Sequence, residues 1–337
     1  MKQTIHDPRP TNHARRAWCL VPLAFCLAGS AAAQGWTPSG NIDIIVSSGA
    51  GGAADREARE TQKFLSKLPG MPAIAVTNRQ GGSGTVAWTY VSQRQGDAHV
   101  IATLNVALLT NQILGKTKIT YKDFTPLAIL MNEHVAAWTR TDSTINSAKD
   151  LLARMKQNPA SVSFGLSPGL GNQNHIVIGM IAKAAGIDPK ALKIVVYSSG
   201  GQGMTAALGG HVDVWVGTLG GALNFSRKKG GLVRVLGVSA EQRQTGEAAE
   251  MPTFREQGID AVYAAYRGFL GPKGLTEAQI AYWDHAFSTI VNDPEWKQAE
   301  IKHAWGPGYL NSAATRKRLD KEYVELSEIL KELGVIK

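Results

Sequence analysis

The chain has 337 residues, with 36 Lys and Arg against 27 Asp and Glu and a formal charge of +9. Its basic residues are interspersed with acidic ones and the tightest cluster, at 227–229, is short, which excludes a nucleic-acid stripe. Both cysteines, Cys19 and Cys26, fall within the first 33 residues, so a disulfide framework is excluded for the rest. No apolar run beyond that point approaches the roughly 20 residues that span a bilayer.

At the N-terminus, Arg15 and Arg16 precede the apolar stretch AWCLVPLAFCLAGSAAAQ, with Ala31 and Ala33 spaced as in an A-x-A cleavage site. The expectation is a secretory signal peptide over 1–33, cut near Ala33, and a mature protein in the periplasm. The paired arginines leave both general and twin-arginine export open. Lys2, Arg9, Arg15 and Arg16 against Asp7 carry +3 of the charge, which leaves +6 beyond the leader.

The first unit after the leader, IIVSSGAGGAADREARE at Ile44 to Glu60, reads as strand, glycine loop and helix. Such a loop points backbone N–H groups outward where a helix begins, which suits an anion. AIAVTN at Ala73 to Asn78 reads as a strand, and RQGGSGTVAWTYVSQR as a second glycine loop entering a helix. HVIATLN is a strand ending near Asn105, and VALLTNQIL a helix.

A second block starts with a strand at Val135 to Arg140. Ser147 with Asp150 makes a capping-box start for a helix that Pro159 follows. SVSFGLSPGLGNQNHIVIGMIAKAAG and KIVVYSSGGQGMTAALGGHVDVWVGTLGGAL repeat the pattern of strand, Gly/Ser loop and helix, and Leu232 to Ser239 closes the block as a strand. Thr276 with Gln279 opens an amphipathic helix through about Asn292. Leu319, Tyr323, Leu326, Leu330 and Leu333 place an apolar stripe on a last helix from Ser312 to Leu333. The alternation predicts an α/β protein with largely parallel sheets.

Three chemistries suggest themselves on these loops. Gly49, Gly51 and Ala54 satisfy the loose dinucleotide fingerprint, but Asn78 and Arg79 stand where an acidic residue should take the ribose hydroxyls. GLSPG, Gly165 to Gly169, matches the hydrolase elbow, with Asp213 and His285 as triad candidates; yet the elbow uses the N–H of the residue after the serine, and Pro168 has none. The histidines His134, His175, His211, His285 and His303 show no metal-ligand spacing, so neither a metal nor a cofactor is expected. What remains is a set of anion-friendly loops at strand C-termini, Ser47 to Ala54, Asn78 to Thr85, Ser167 to His175 and Ser198 to Gly203. Each could be a tight turn that needs glycine; their recurrence in both blocks favours a shared crevice. His175 reads equally as a capping histidine, and Asp55 as a first-turn carboxylate facing the helix dipole.

With these stretches, together with YKDFTPLAIL, LVRVLGVSAEQR, MPTFREQG and YRGFLGPKGLT, the chain resembles the Bug family, the extracytoplasmic solute receptors of tripartite tricarboxylate transporters. The resemblance covers nearly the whole region after the leader. It implies an α/β, two-domain periplasmic binding protein of the type II-like Venus-flytrap kind. Domain 1 would be discontinuous, 34–137 and 239–337, and domain 2 would be 138–238. It further implies no catalysis, a small carboxylate solute held between the lobes, and delivery to integral-membrane permease subunits. Carried onto this sequence, the ligand-binding set is Ser48, Gly49, Ala50, Gly51, Gly52, Ala53 and Asn105 on one side. On the other it is Ser167, Gly169, Gly171, Asn172, Asn174, His175, Ser199, Gly200 and Thr218. Ser47, Ser48 and Ala54 depart from the prolines, aromatic or threonine common in the family's first loop. A receptor that signals to a membrane sensor, and a secreted serine hydrolase, are the alternatives.

Overall fold

The strand β1 (Ile42–Val46) is apolar on both faces apart from Asp43, and such a strand must be covered on both sides. A computed structural model, which describes residues 35–226 and 231–336, does so with parallel neighbours and helices. The expected leader and the basic cluster at 227–229 lie outside the described residues. α1 (Ala53–Leu65) carries the chain from β1 to β2 (Ile74–Asn78), and α2 (Thr85–Ser92) carries it on to β3 (Val100–Leu104). Both β2 and β3 pair with β1 in parallel, so the loops after β1, β2 and β3 emerge at one end of the sheet.

After α3 (Ala107–Ile113) comes β4 (Phe124–Arg140), a 17-residue strand shared by two sets of partners. From Phe124 to His134 it pairs antiparallel with β9 (Ala264–Pro272), and from Val135 onward with β7 (Val214–Thr218) and β8 (Val233–Val238). β10 (Trp305–Leu310) also lies along its first stretch. Around β7 the second set continues with β5 (Ser163–Leu166) and β6 (Lys193–Val196), both parallel to it or to each other. The order is β2-β1-β3-β9-β4-β7-β5-β6, with β8 and β10 also on β4.

This corrects the expectation of largely parallel sheets. The outer pairs are parallel, whereas every pairing of β4 and β9 is antiparallel. The reason is topological, since β9 and β10 belong to a chain that has already passed through the second set and returns from the opposite direction. The expected strand at Val135 to Arg140 is therefore only the end of β4.

Helices α4 (Ala148–Gln157), α5 (Gln173–Ala184), α6 (Gly200–Leu208) and α7 (Leu219–Ser226) flank the second set. α8 (Glu277–Val291), α9 (Pro294–His303) and α10 (Ser312–Glu332) return to the first. α8 starts with a complete capping box, Thr276 Oγ1 accepting from the Gln279 N–H at 3.3 Å and Gln279 Oε1 from the Thr276 N–H at 2.8 Å. On α10, Leu319, Leu326 and Leu330 are buried as the stripe predicts. α9 had no sequence expectation; its Trp296 is fully buried with its ring edge-on to Phe64 at 5.3 Å, a contact whose truncation costs about 3–5 kcal/mol. Among the described residues, no helix is long and apolar enough to cross a membrane.

Candidate functional site

The loops after β1, β2, β3, β5 and β6 and the end of β7 face one another across a cleft of about 640 Å³, open solvent at its mouth included. Of the expected residues, Ser48, Gly52, Ala53, Asn105, Ser167, Asn172, Asn174, Ser199, Gly200 and Thr218 line it. Gly49, Ala50, Gly51, Gly169, Gly171 and His175 do not.

The first loop is held from behind by polar side chains. Asn78 donates to the Ser48 carbonyl at 3.0 Å and to Asp55 Oδ1 at 3.0 Å, while the Gly51 N–H donates to Asp55 Oδ2 at 3.0 Å. Gly51 sits at φ +73°, where glycine is the natural residue, and its amide is committed to Asp55. Asp55 is thus more than a dipole partner, because it ties the loop to α1. Burial works against its ionised form, but hydrogen bonds from Arg59, the Gly51 N–H and Asn78 outweigh that and hold its pKa below the ordinary value. Asn105 donates to Ser47 Oγ at 3.2 Å and accepts from the Ala107 N–H at 3.0 Å, which joins the first loop to the start of α3. Gly52, the residue before α1, supplies no side-chain cap, so the first-turn amides of α1 open on the cleft at Ala53 and Ala54.

The second side is built differently. Asn172 caps α5, accepting from the Asn174 and His175 N–H groups at 3.0 and 3.1 Å. The amides of Asn172 and Asn174 both donate to the Ser167 carbonyl, at 2.5 and 3.0 Å. Asn174 Oδ1 is left buried without a partner beside the cleft. His175 accepts the Gly171 N–H on Nδ1 at 3.0 Å, and burial, aided by the nearby Lys116, pulls its pKa down to about 4. It is a neutral brace for the loop.

Glycines let the two sides approach. A Cβ on Gly169 would collide with Ser83 Oγ, one on Gly171 with Leu114, and one on Gly49 would lie 3.2 Å from the Ser199 Cβ. At Gly200 an added Cβ would lie 3.7 Å from Ser167 Oγ and 3.9 Å from Gly52 Cα, so this glycine faces both sides. Gly165 and Gly203 have another purpose, since a side chain on either would strike the Trp215 ring, which forms part of the cleft wall. The serine-hydrolase constellation is not assembled, for Asp213 accepts from the Ser163 N–H at 2.8 Å and from its hydroxyl, and neither Asp213 nor His285 lines the cleft.

Two arginines reach the cleft that sequence reasoning assigned no role. Arg56, one residue past Asp55, donates to the Gly51 carbonyl at 3.0 Å and to Thr218 Oγ1 at 3.2 Å. Arg267, in the middle of β9, is buried and donates through Nε to Glu133 Oε2 at 2.6 Å. Burial opposes its charge, but the ion pair with Glu133 outweighs that and holds the guanidinium above its ordinary pKa. Glu57 lies fully buried nearby with both carboxyl oxygens unpartnered, and burial raises its pKa well above the ordinary range. The adjacent Arg and Glu in DREARE read as a solvated helix face; only the position of Arg267 opposite α1 shows otherwise. Among the described residues, no cluster of His, Cys, Asp and Glu is arranged to hold a metal ion.

Residues 57–335 match the family described as tripartite tricarboxylate transporter family receptor. A curated relative from Bordetella bronchiseptica, a UPF0065 protein, is 28% identical over 284 residues, covering 83% of this chain and 81% of the relative. Two solved structures share the fold. One is the periplasmic binding protein BugD, with a TM-score of 0.79 at 22% identity over 89% of this chain and 99% of that one. The other is Rpa4515 from R. palustris, solved with adipate, with a TM-score of 0.81 at 20% identity over 88% and 98%.

Proposed function

The chain belongs to the tripartite tricarboxylate transporter receptor family, and from that premise we propose that it captures a small organic acid in this cleft and delivers it to integral-membrane permease subunits. The observation that carries the reading is the convergence of five strand-end loops on one cleft whose lining is rich in donors. The uncapped amides of α1 at Ala53 and Ala54, the amides at the start of α6, and the hydroxyls of Ser48, Ser167 and Ser199 suit a carboxylate. A protein of the same fold is recorded with adipate, an acid of this class.

In this reading the protein is exported, its leader is removed near Ala33, and it works in the periplasm without covalent chemistry. Its lobes are 34–137 with 239–337, and 138–238. The exchange of β4 partners between His134 and Val135, and the end of β8 at Val238, support those boundaries. Closure of the lobes over the acid is the functional event. Gly49, Ala50, Gly51, Gly169, Gly171 and His175 shape and brace the loops around it.

The test is thermal unfolding of the ligand-free, refolded protein against mono-, di- and tricarboxylates, with NAD as control. An acid that binds only the folded state adds about 2.7 kcal/mol at a hundredfold excess over its dissociation constant. A dose-dependent rise in Tm with at least one acid and none with NAD is the expected result. A rise with NAD alone would overturn the reading.

A further inference from the structure

The two lobes also meet at the edge of the cleft, along a seam beside α3. Lobe 34–137 supplies the loop at 82–83 and the end of α3. Asn111 holds that loop by donating to the Gly82 and Ser83 carbonyls at 3.3 and 3.2 Å, and Leu114 and Lys116 follow just after the helix. Lobe 138–238 supplies Gly169, Leu170 and Gly171, whose two glycines leave room for Ser83 and Leu114 to close against them. Across this seam Lys116 Nζ donates to the Leu170 carbonyl at 2.7 Å. We propose that Lys116 is a latch, a positioning residue that grips the peptide between Leu170 and Gly171, holds the lobes closed and sets how slowly a bound solute leaves. The proposal rests on the receptor reading and adds to it a residue that governs release without touching the solute.

Both ends of that peptide carry the argument. Its carbonyl accepts from Lys116 in one lobe, while its N–H, which belongs to Gly171, donates to His175 Nδ1 in the other at 3.0 Å. The bonds run in one direction, from ammonium to carbonyl and from amide to imidazole, so each polarises the next and the carbonyl becomes a better acceptor. The chain needs a neutral imidazole, because a protonated Nδ1 has no lone pair to offer. His175 is held in that form by burial and, in part, by Lys116 itself. The ammonium in turn gives up some of its hydration at the seam, and burial draws its pKa below the ordinary lysine value.

Position separates the latch from the solute. Lys116 and Leu170 do not line the cleft, whereas Ser167, Pro168 and Asn172, on either side of Leu170 in the chain, do. A bond across the seam exists only once the lobes have met, so it stabilises the closed state and leaves the open state, which the solute enters, unaltered. Its loss therefore shows in dissociation and not in association.

Stopped-flow tryptophan fluorescence on the full chain, with Trp215 in the cleft wall and adipate, succinate and citrate as probes, tests the latch. For each probe that binds, Lys116→Met should raise the dissociation rate by about fivefold or more and leave the association rate within about twofold. Lys116→Arg should restore most of the wild-type rate. His175→Leu, with its fold checked by circular dichroism, should speed dissociation too, and the double variant should go little beyond the single ones, because both cut one chain of bonds. An unchanged dissociation rate in Lys116→Met, a change confined to association, or fully additive effects of the two variants would overturn the latch while leaving the receptor reading intact. Binding of none of the three probes would contradict the carboxylate reading on which the latch rests.

Discussion

The two walls of the cleft are built from opposite materials. The wall carried by β1, β4 and β9 is ionic, with Arg56, Glu57, Glu133 and Arg267 gathered behind the first loop. The wall carried by β5, β6 and β7 is neutral, with Asn172 and Asn174 on the Ser167 carbonyl, Ser199 capping α6, and a histidine held uncharged. The ionic wall presents fixed charge and an uncapped helix start, whereas the neutral wall engages the Asn174 and His175 amides of α5 and the Gln202 amide of α6 in side-chain caps. The difference teaches that a shared pattern of strand, Gly/Ser loop and helix does not imply a shared way of meeting an anion.

The largest expected effect comes from breaking the ionic wall. Arg267→Met would leave Glu133 buried and unpaired, and should cost about 3–5 kcal/mol in urea unfolding. A loss below about 1 kcal/mol would mean that the pair does not organise that wall.

Acid should act next, and on the neutral wall. His175 has a folded pKa of about 4 against an ordinary 6.5, so below pH 6.5 the unfolded chain takes up a proton that the native state refuses. Stability is therefore lost as pH falls from 6.5 toward 4, by about 1.4 kcal/mol per unit and up to about 3 kcal/mol. His175→Gln should flatten that slope. An unaltered slope would show that the brace is not held neutral.

Glu57 gives the ionic wall the opposite sign. Its folded pKa is raised, so its burial costs nothing in acid, and the cost grows as pH rises above the ordinary glutamate range. Glu57→Gln should stabilise the protein at pH 7 in urea unfolding, with the gain shrinking as pH falls into the ordinary glutamate range. A gain that persists in acid would point to packing instead of charge. The smallest effect belongs to Gly51→Ala, where space is open and only the φ of +73° resists, for a cost of about 1 kcal/mol in the same unfolding assay. A cost well above that would imply that the loop is also held by contacts a methyl disturbs.

The ionic wall was also the harder one to read from sequence. The strand-end loops announce themselves through glycine and serine after β-branched runs, and the caps at Asn172, Ser199 and Thr276 follow local rules. Most lining residues of the neutral wall were legible for that reason. Arg56 and Glu57 look like a solvent face because a helix period alone cannot show that β4 and β9 supply Glu133 and Arg267 beside them. The same polar residues disguise the strands, for Glu133 and Arg267 interrupt apolar runs that become regular only once the pair forms across β4 and β9. Gly165 mimicked part of a nucleophile elbow, when its local reason is the Trp215 ring against it.

The most direct test of the central claim, that a small acid binds between these walls, is calorimetric affinity for the wild type and Gly200→Val, using the acid that most raises Tm. Gly200 lies opposite Ser167 Oγ and Gly52 Cα, and its φ is not among the positive ones, so a valine there fills the cleft without backbone strain. The account predicts at least a tenfold loss of affinity with Tm of the free protein changed by only a few degrees. Unchanged affinity in a folded Gly200→Val protein would contradict it and place the acid elsewhere.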